Sequence, residues 1–208
     1  MRLTNLIITI AAILLLGAGD PKAGKDKVAV CAGCHGLDGN SLVGIWPSLA
    51  GQNQNYLLKQ LRLVKTGERE IASMIGLLDN LDDSDLQDIA AFYESNVNTV
   101  GTVDEDKVEL GRKLYYAGNL EKGVPACSAC HSPKGLGNGP AAYPLLSGQQ
   151  PEYVAKALKD YRSGARINQD PSKIMAAIAY KLDDDEICLL YTSPSPRDLS
   201  TSRMPSSA

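Results

Sequence analysis

Apolar residues recur along the chain with the period of a helix rather than of a strand. Leu57, Leu58, Leu61 and Val64 share one face at helical spacing, as do Leu86, Ile89, Ala90 and Tyr93, so both stretches predict amphipathic helices with a buried side. The polar punctuation agrees. Asp20 ahead of Pro21 offers an N-cap and a first helical residue, predicting a helix that runs through Lys25 to the first cysteine pair. Asp82 with Asp85, and Asp183 with Glu186, stand three apart before apolar runs, which is capping-box spacing. Gly67 supplies a helix stop. No alternating β-branched runs bounded by hairpin turns occur. The predicted class is all-α.

One apolar run has another character. Met1-Arg2 precedes Leu6 to Leu16, which gives way to Gly17-Ala18-Gly19-Asp20. A basic start, a short apolar stretch and a small-residue exit read as an export signal, so residues 1–18 are expected to be cleaved. The alternative, a permanent anchor, needs about 20 apolar residues, and this run is shorter. No other stretch is long enough to span, so the mature chain is expected to be exported and soluble.

The chain also repeats itself. Cys31, Cys34 and His35 align with Cys127, Cys130 and His131; Pro47, Gly51, Gln52, Tyr56 and Arg69 align with Pro144, Gly148, Gln149, Tyr153 and Arg166. After a four-residue insertion, Met74 falls on Met175 and Leu81-Asp82-Asp83 on Leu182-Asp183-Asp184. So many identities in one order predict two copies of one domain, residues 19–95 and 107–187, joined by a linker over 96–106. Two copies are too few for a solenoid, which generally needs about three or more repeats.

Composition now changes the picture. The 208 residues are 44% apolar and 22% charged, which excludes disordered, collagen-like and polytopic membrane classes. Only 5% are aromatic, so a cofactor is a candidate to fill what large planar side chains leave empty. Both histidines lie in C-x-x-C-H motifs, Cys31-Ala32-Gly33-Cys34-His35 and Cys127-Ser128-Ala129-Cys130-His131. On a helical turn residues i, i+3 and i+4 share a face, so two thiols can reach the two vinyl groups of one haem while the imidazole reaches its iron. Three other readings compete. A disulfide in each pair leaves the histidines unexplained, a zinc site wants four ligands where each copy offers three, and a thioredoxin-like pair wants a βαβ context.

Apart from Met1 and Met204, the methionines are Met74 and Met175, one per copy at matching positions, so they are candidates for the sixth position on each iron. The alternative is that each fills a core gap. Met/His ligation raises the reduction potential, and a filled coordination sphere favours electron transfer over substrate activation. Pro47 and Pro144 are candidates to bring a carbonyl to each histidine's other nitrogen. Arg69 and Arg166 either fork onto haem propionates or are ordinary exposed arginines. Gly135, Gly137 and Gly139 follow no strand and read as a loop rather than a nucleotide cradle.

The stretches Gly19 to Lys25, Val28 to Gly36, Trp46 to Gln52, Gly123 to His131 and Pro144 to Gln149 resemble the cytochrome c4 family, and the likeness covers residues 18 to 187. The resemblance implies two tandem cytochrome c domains related by pseudo-two-fold symmetry, with two covalent haem c groups edge to edge. It implies thioether bonds to Cys31, Cys34, Cys127 and Cys130, and axial pairs His35 with Met74 and His131 with Met175. It further implies a monomeric periplasmic electron carrier, not an enzyme, that takes electrons from a quinol-oxidising cytochrome bc1 complex toward a terminal oxidase. A rival is the dihaem subunit of a dehydrogenase such as flavocytochrome c sulfide dehydrogenase; a third reading is a haem enzyme or gas sensor with a labile methionine.

One departure stands out. After Ile187 the second copy reads Cys188-Leu189-Leu190-Tyr191-Thr192-Ser193-Pro194-Ser195-Pro196, and eleven of the last 21 residues are Ser, Thr or Pro. Interior prolines cost a helix about 3 kcal/mol each. The tail from 188 to 208 is therefore expected to be non-native, the product of a frame break or of translated adapter or vector sequence, and if it replaces the last helix the second pocket loses a packing wall and Cys188 becomes a stray thiol; a genuine disordered extension is the milder reading. Charge adds little: residues 18–100 carry seven basic and eleven acidic groups and residues 101–187 eleven and twelve, an asymmetry able to orient docking but not to bind nucleic acid.

Overall fold

The structure is a computed structural model that describes residues 19–100, 105–166 and 172–192. The expected signal at 1–18 and the tail from residue 193 lie outside the described residues. The first half comprises α1 (Pro21–Lys27), α2 (Ala32–His35), α3 (Gln54–Lys65), a 3-10 turn at Ala72–Met74 and α4 (Asp83–Ser95). The second comprises α5 (Glu105–Ala117), α6 (Ser128–His131), α7 (Pro151–Ser163), α8 (Ser172–Ala179) and α9 (Asp184–Thr192). Two isolated β-bridges, Asn119 with Val124 and Asn138 with Tyr143, are the extended pairings among the described residues.

The capping chemistry places the helix starts. The Asp20 carboxylate accepts from the Lys22 N–H at 2.9 Å, with Pro21 in the first turn. Asp82 and Asp85 exchange side-chain and backbone bonds at 2.8 and 2.9 Å, and Asp183 with Glu186 do the same at 2.8 and 3.0 Å, so both copies carry a full capping box. The predicted apolar faces are buried: Leu57, Leu61, Leu86, Ile89, Phe92 and Tyr93 form the first core with Val28 and Leu78. Val124, Leu158, Leu182 and Ile187 form the second. In each copy the first helix packs on the last, α1 on α4 and α5 on α9.

Gly24 is where α1 and α4 touch backbone to backbone. A Cβ there would stand 2.1 Å from the Asp88 carbonyl oxygen and 2.8 Å from the Phe92 Cβ. Backbone cannot rotate away, so Gly24→Ala is expected to destabilise the first domain by about 2 to 3 kcal/mol, the upper range for overpacking, measured by denaturant unfolding of the haem-loaded chain. A change within about 0.5 kcal/mol would contradict the crossing.

Charged clasps tie α1 to α4 and the loop after α5 to the start of α9. The Lys27 ammonium lies 2.6 Å from both Asp85 and Asp88, and Lys122 lies 2.5 Å from Asp183 and 2.9 Å from Glu186. Hydrogen bonds from Lys27 hold Asp85 and Asp88 below the usual carboxylate range, and those from Lys122 do the same for Asp183. A carboxylate lowered in the folded state stabilises fully above its unfolded pKa of about 4, and that stability is lost as pH falls through the folded value. Hydrogen bonds to the two aspartates raise Lys27, so its contribution persists up to its ordinary value of about 10.4 and fades only as pH climbs through the raised one. The unfolding temperature should therefore be level from neutral to mildly alkaline pH and fall below about pH 4, with a shallower fall in Lys27→Met. An identical acid profile for the two proteins would remove the clasp from the account.

The linker is bound along its described length. Asn96 Nδ2 donates to the Asp38 carbonyl at 2.8 Å, Asn40 Oδ1 accepts from the Thr99 N–H at 2.8 Å, and Asn98 Nδ2 donates to the Ser147 carbonyl of the second domain. Helix α5 begins at Glu105, where the described part of the chain resumes. Helix α9 continues beyond Ile187 through Cys188 to Thr192, two residues before Pro194, and Leu190 packs against the second core. The capping box starts the helix and the apolar face of Leu190 prolongs it, so the last helix and its wall are present rather than lost.

Candidate haem sites

Both C-x-x-C-H motifs fold as a single tight helical turn. The Cys31 carbonyl accepts from the N–H groups of Cys34 and His35 at 3.2 and 2.9 Å, and the Cys127 carbonyl from those of Cys130 and His131 at the same distances. None of the five cysteines is disulfide-bonded. Among the described residues no cluster of three or more His, Cys, Asp or Glu forms a metal-holding group. Burial pushes the Cys31 thiol up and Cys127 up to about 11, so both are protonated at neutral pH.

The loop after each motif folds back on itself. The Gly39 carbonyl accepts from Leu49 and Ala50, and the Gly135 carbonyl from Leu146 and Ser147, which carries each proline over the histidine. His35 Nδ1 lies 2.8 Å from the Pro47 oxygen and His131 Nδ1 lies 3.0 Å from the Pro144 oxygen. A carbonyl can only accept, so each Nδ1 carries the proton and each Nε2 keeps its lone pair for a metal. Burial depresses both histidines, against the opposing effect of the carbonyls, and keeps the rings neutral. Both prolines thus do what the sequence suggested.

The two turns open into one continuous cavity of about 1230 Å3. Cys31, Cys34, His35 and Met74 line one end; Cys127, Cys130, His131 and Met175 line the other. Met74 sits on the 3-10 turn against the first core, whereas Met175 sits on α8 against the second. Leu49, Leu57, Leu61, Val154, Leu158 and Ile178 add apolar walls. Such a volume exceeds the roughly 300 to 1000 Å3 of an ordinary ligand pocket.

Arg69 and Arg166 meet where the domains join, and they cross over. Arg69 donates to Gln60 of its own domain at 2.8 Å and to the Tyr153 hydroxyl of the other at 3.2 Å. Arg166, buried, donates to the Tyr56 hydroxyl at 2.9 Å and to Gln60 at 3.1 Å, with its guanidinium 4.7 Å from the Tyr161 ring centre. Burial raises the Tyr153 hydroxyl, but the charges of Arg166 and Arg69 outweigh it and bring it down to about 8. Burial pushes Tyr161 up to about 12. Among the described residues neither arginine pairs with a carboxylate, so two guanidiniums with neutral protein partners face the cavity. That donor set suits an apolar cofactor with acidic edges. Haem, with its two propionates, is such a group, and the thiols, imidazoles and arginines present fit it.

An all-α pair of domains, each presenting a C-x-x-C-H turn to a large apolar cavity, defines a c-type cytochrome with two covalent haem c groups. The family model for cytochrome c matches residues 21–96 and 108–191, and cytochrome c4 of Azotobacter vinelandii is 48% identical over 198 residues, spanning 90% of this chain and 94% of its own. The chain belongs to the cytochrome c4 family and is an electron carrier. The crystal structure of reduced recombinant cytochrome c4 from Pseudomonas stutzeri is similar, with a TM-score of 0.83 at 44% identity, covering 86% of this chain and 99% of that one. The thiosulfate dehydrogenase electron acceptor of Stutzerimonas stutzeri (strain A1501) is 35% identical over 162 residues, covering 76% of this chain and 74% of its own.

The crossed arginine and tyrosine pairs were outside the sequence reading. Tyr56 and Tyr153 stood among the repeated positions, but nothing local marks a tyrosine as the partner of an arginine about a hundred residues away. Among the described residues no helix is long and apolar enough to cross a membrane.

Proposed function

We propose that the chain carries electrons singly through a respiratory chain of the periplasm, from a quinol-oxidising cytochrome bc1 complex toward a terminal oxidase. It acts as a monomer exported by the signal at residues 1–18. His35 with Met74, and His131 with Met175, are its axial pairs, and Cys31, Cys34, Cys127 and Cys130 its thioether anchors. Haem c supplies a one-electron iron couple that changes charge without making or breaking bonds.

The observation that carries the reading is the matching of one His and one Met at each end of one cavity. The chain's own residues do four things there. The C-x-x-C turns present paired thiols to one edge of the cofactor, and the Pro47 and Pro144 carbonyls orient the imidazoles. Met74 and Met175, which line the cavity ends that hold His35 and His131, would supply each iron's remaining ligand and so deny it to peroxide or diatomic ligands. Arg69 and Arg166, held where the domains meet by Gln60, Tyr56 and Tyr153, would offer guanidinium charge to the acidic edges of the cofactors.

The test is an optical spectrum of the reduced, haem-matured protein before and after carbon monoxide, followed by reoxidation with membranes containing a terminal oxidase. An unchanged spectrum and rapid reoxidation are expected. Carbon monoxide binding at either haem refutes closure of that iron. The relative named for accepting electrons from thiosulfate dehydrogenase favours a second reading, in which the donor is a sulfur-compound dehydrogenase. Fast reduction by such an enzyme with its substrate, and none by the bc1 complex, selects it.

A further inference from the structure

The domain interface contains a reciprocal pair of hydrogen-bonded clasps. Gln149 of the second domain binds one backbone unit of the first: its Oε1 accepts from the Ser48 N–H at 2.8 Å, and its Nε2 donates to the Ser48 carbonyl at 2.9 Å. Gln52 of the first domain binds the matching unit of the second: its Oε1 accepts from the Leu145 N–H at 2.8 Å, and its Nε2 donates to the Leu145 carbonyl at 3.1 Å. Gln52, Ser48 and Leu145 are buried.

The Ser48 N–H belongs to the same peptide group as the Pro47 carbonyl, which receives the His35 Nδ1 proton. The Leu145 N–H likewise shares its peptide with the Pro144 carbonyl that receives the His131 proton. A trans peptide is a planar conjugated unit with its N–H and C=O pointing opposite ways. Drawing on its N–H pushes electron density onto its oxygen, and hydrogen bonds in such a chain strengthen one another by roughly 10 to 30% each. Each histidine is therefore one peptide away from a glutamine of the opposite domain.

We propose that Gln52 and Gln149 are positioning residues that tune the haem of the opposite domain: Gln52 through Leu145, Pro144 and His131, and Gln149 through Ser48, Pro47 and His35. The proposal rests on the reading of His35 and His131 as iron ligands. A stronger acceptor at Nδ1 makes the imidazole more electron-donating, which favours the ferric state and lowers the potential. Removing the glutamine amide weakens that acceptor, so the potential rises, and it rises across the interface rather than beside the mutation. Loosening of the interface alone would act on both sites together.

The experiment is a redox titration of the full haem-loaded chain followed by NMR, which resolves the two haems. Hyperfine-shifted His35 and His131 ring protons in the unmutated protein establish the ligation; their absence removes that reading, and the proposal with it. With ligation established, Gln52→Leu is expected to raise the potential of the haem on His131 and leave that on His35, while Gln149→Leu does the reverse. Gln52→Glu keeps an oxygen toward the Leu145 N–H, so it should hold the second haem at or below its starting potential. It serves also if the leucine variant fails to mature. Equal shifts of both haems, a shift on the mutated side alone, no shift, or a rise in Gln52→Glu equal to that in Gln52→Leu each overturn the proposal.

Discussion

Met175→Ala exposes the second iron to carbon monoxide and leaves the first iron's spectrum unchanged. The methionine is partly buried on α8, lines the cavity end that holds His131, and packs against the core of Val124, Leu158 and Ile187. Alanine removes the thioether, and no second His or Met is described at that end of the cavity to take its place. The lost packing costs about 2 kcal/mol, the low end for a Met→Ala change because the side chain is not fully enclosed. That is too small to unfold a domain of ordinary stability, so the spectroscopic change reports the iron rather than general collapse. Met74→Ala should mirror it at the first haem. If neither haem spectrum responds to its own alanine, the axial assignment is wrong.

Cys127→Ser combined with Cys130→Ser produces the larger loss. Without thioether bonds the second domain releases its haem, and the walls that faced it are left around a void they cannot close. Among the described residues the second core holds Val124, Leu158, Leu182 and Ile187, against nine buried residues in the first. On that smaller cluster the second domain depends more heavily on its cofactor for buried apolar surface. Calorimetry is expected to show the second domain's transition gone at 37 °C and the first domain's kept. The matching pair, Cys31→Ser with Cys34→Ser, should leave a broad, weakened first transition instead. Equal losses in the two variants would refute the difference in cofactor dependence.

What could be read in advance was whatever has a short sequence range. The helix faces at Leu57 to Val64 and Leu86 to Tyr93 follow from periodicity, and both capping boxes from three-residue spacing. The histidine carbonyl partners at Pro47 and Pro144 lie only twelve and thirteen residues beyond their rings. The rest depends on pairs 84 to 110 residues apart: Arg69 with Tyr153, Gln52 with Leu145, Gln149 with Ser48, Arg166 with Tyr56. No local pattern encodes such a pairing, because it arises when one copy turns about an axis to face the other. Helix α9 shows the opposite error. Proline counting put the break at Ile187, but a proline acts on its own position and the residue before it, so the helix runs on to Thr192.

Two copies meeting through equivalent surfaces form the arrangement of a two-fold dimer, with the subunits joined in one chain. A true homodimer must place every side chain twice. Here Gln60 accepts hydrogen bonds from both Arg69 and Arg166, while the corresponding position in the second copy is Ala157. An amide present in one copy only serves the arginines of both halves, an asymmetry that identical subunits could not have. Fusion thus frees the two sites to diverge while keeping their docking register, and a directional pair of redox centres can evolve from a symmetric one by substitutions of this kind.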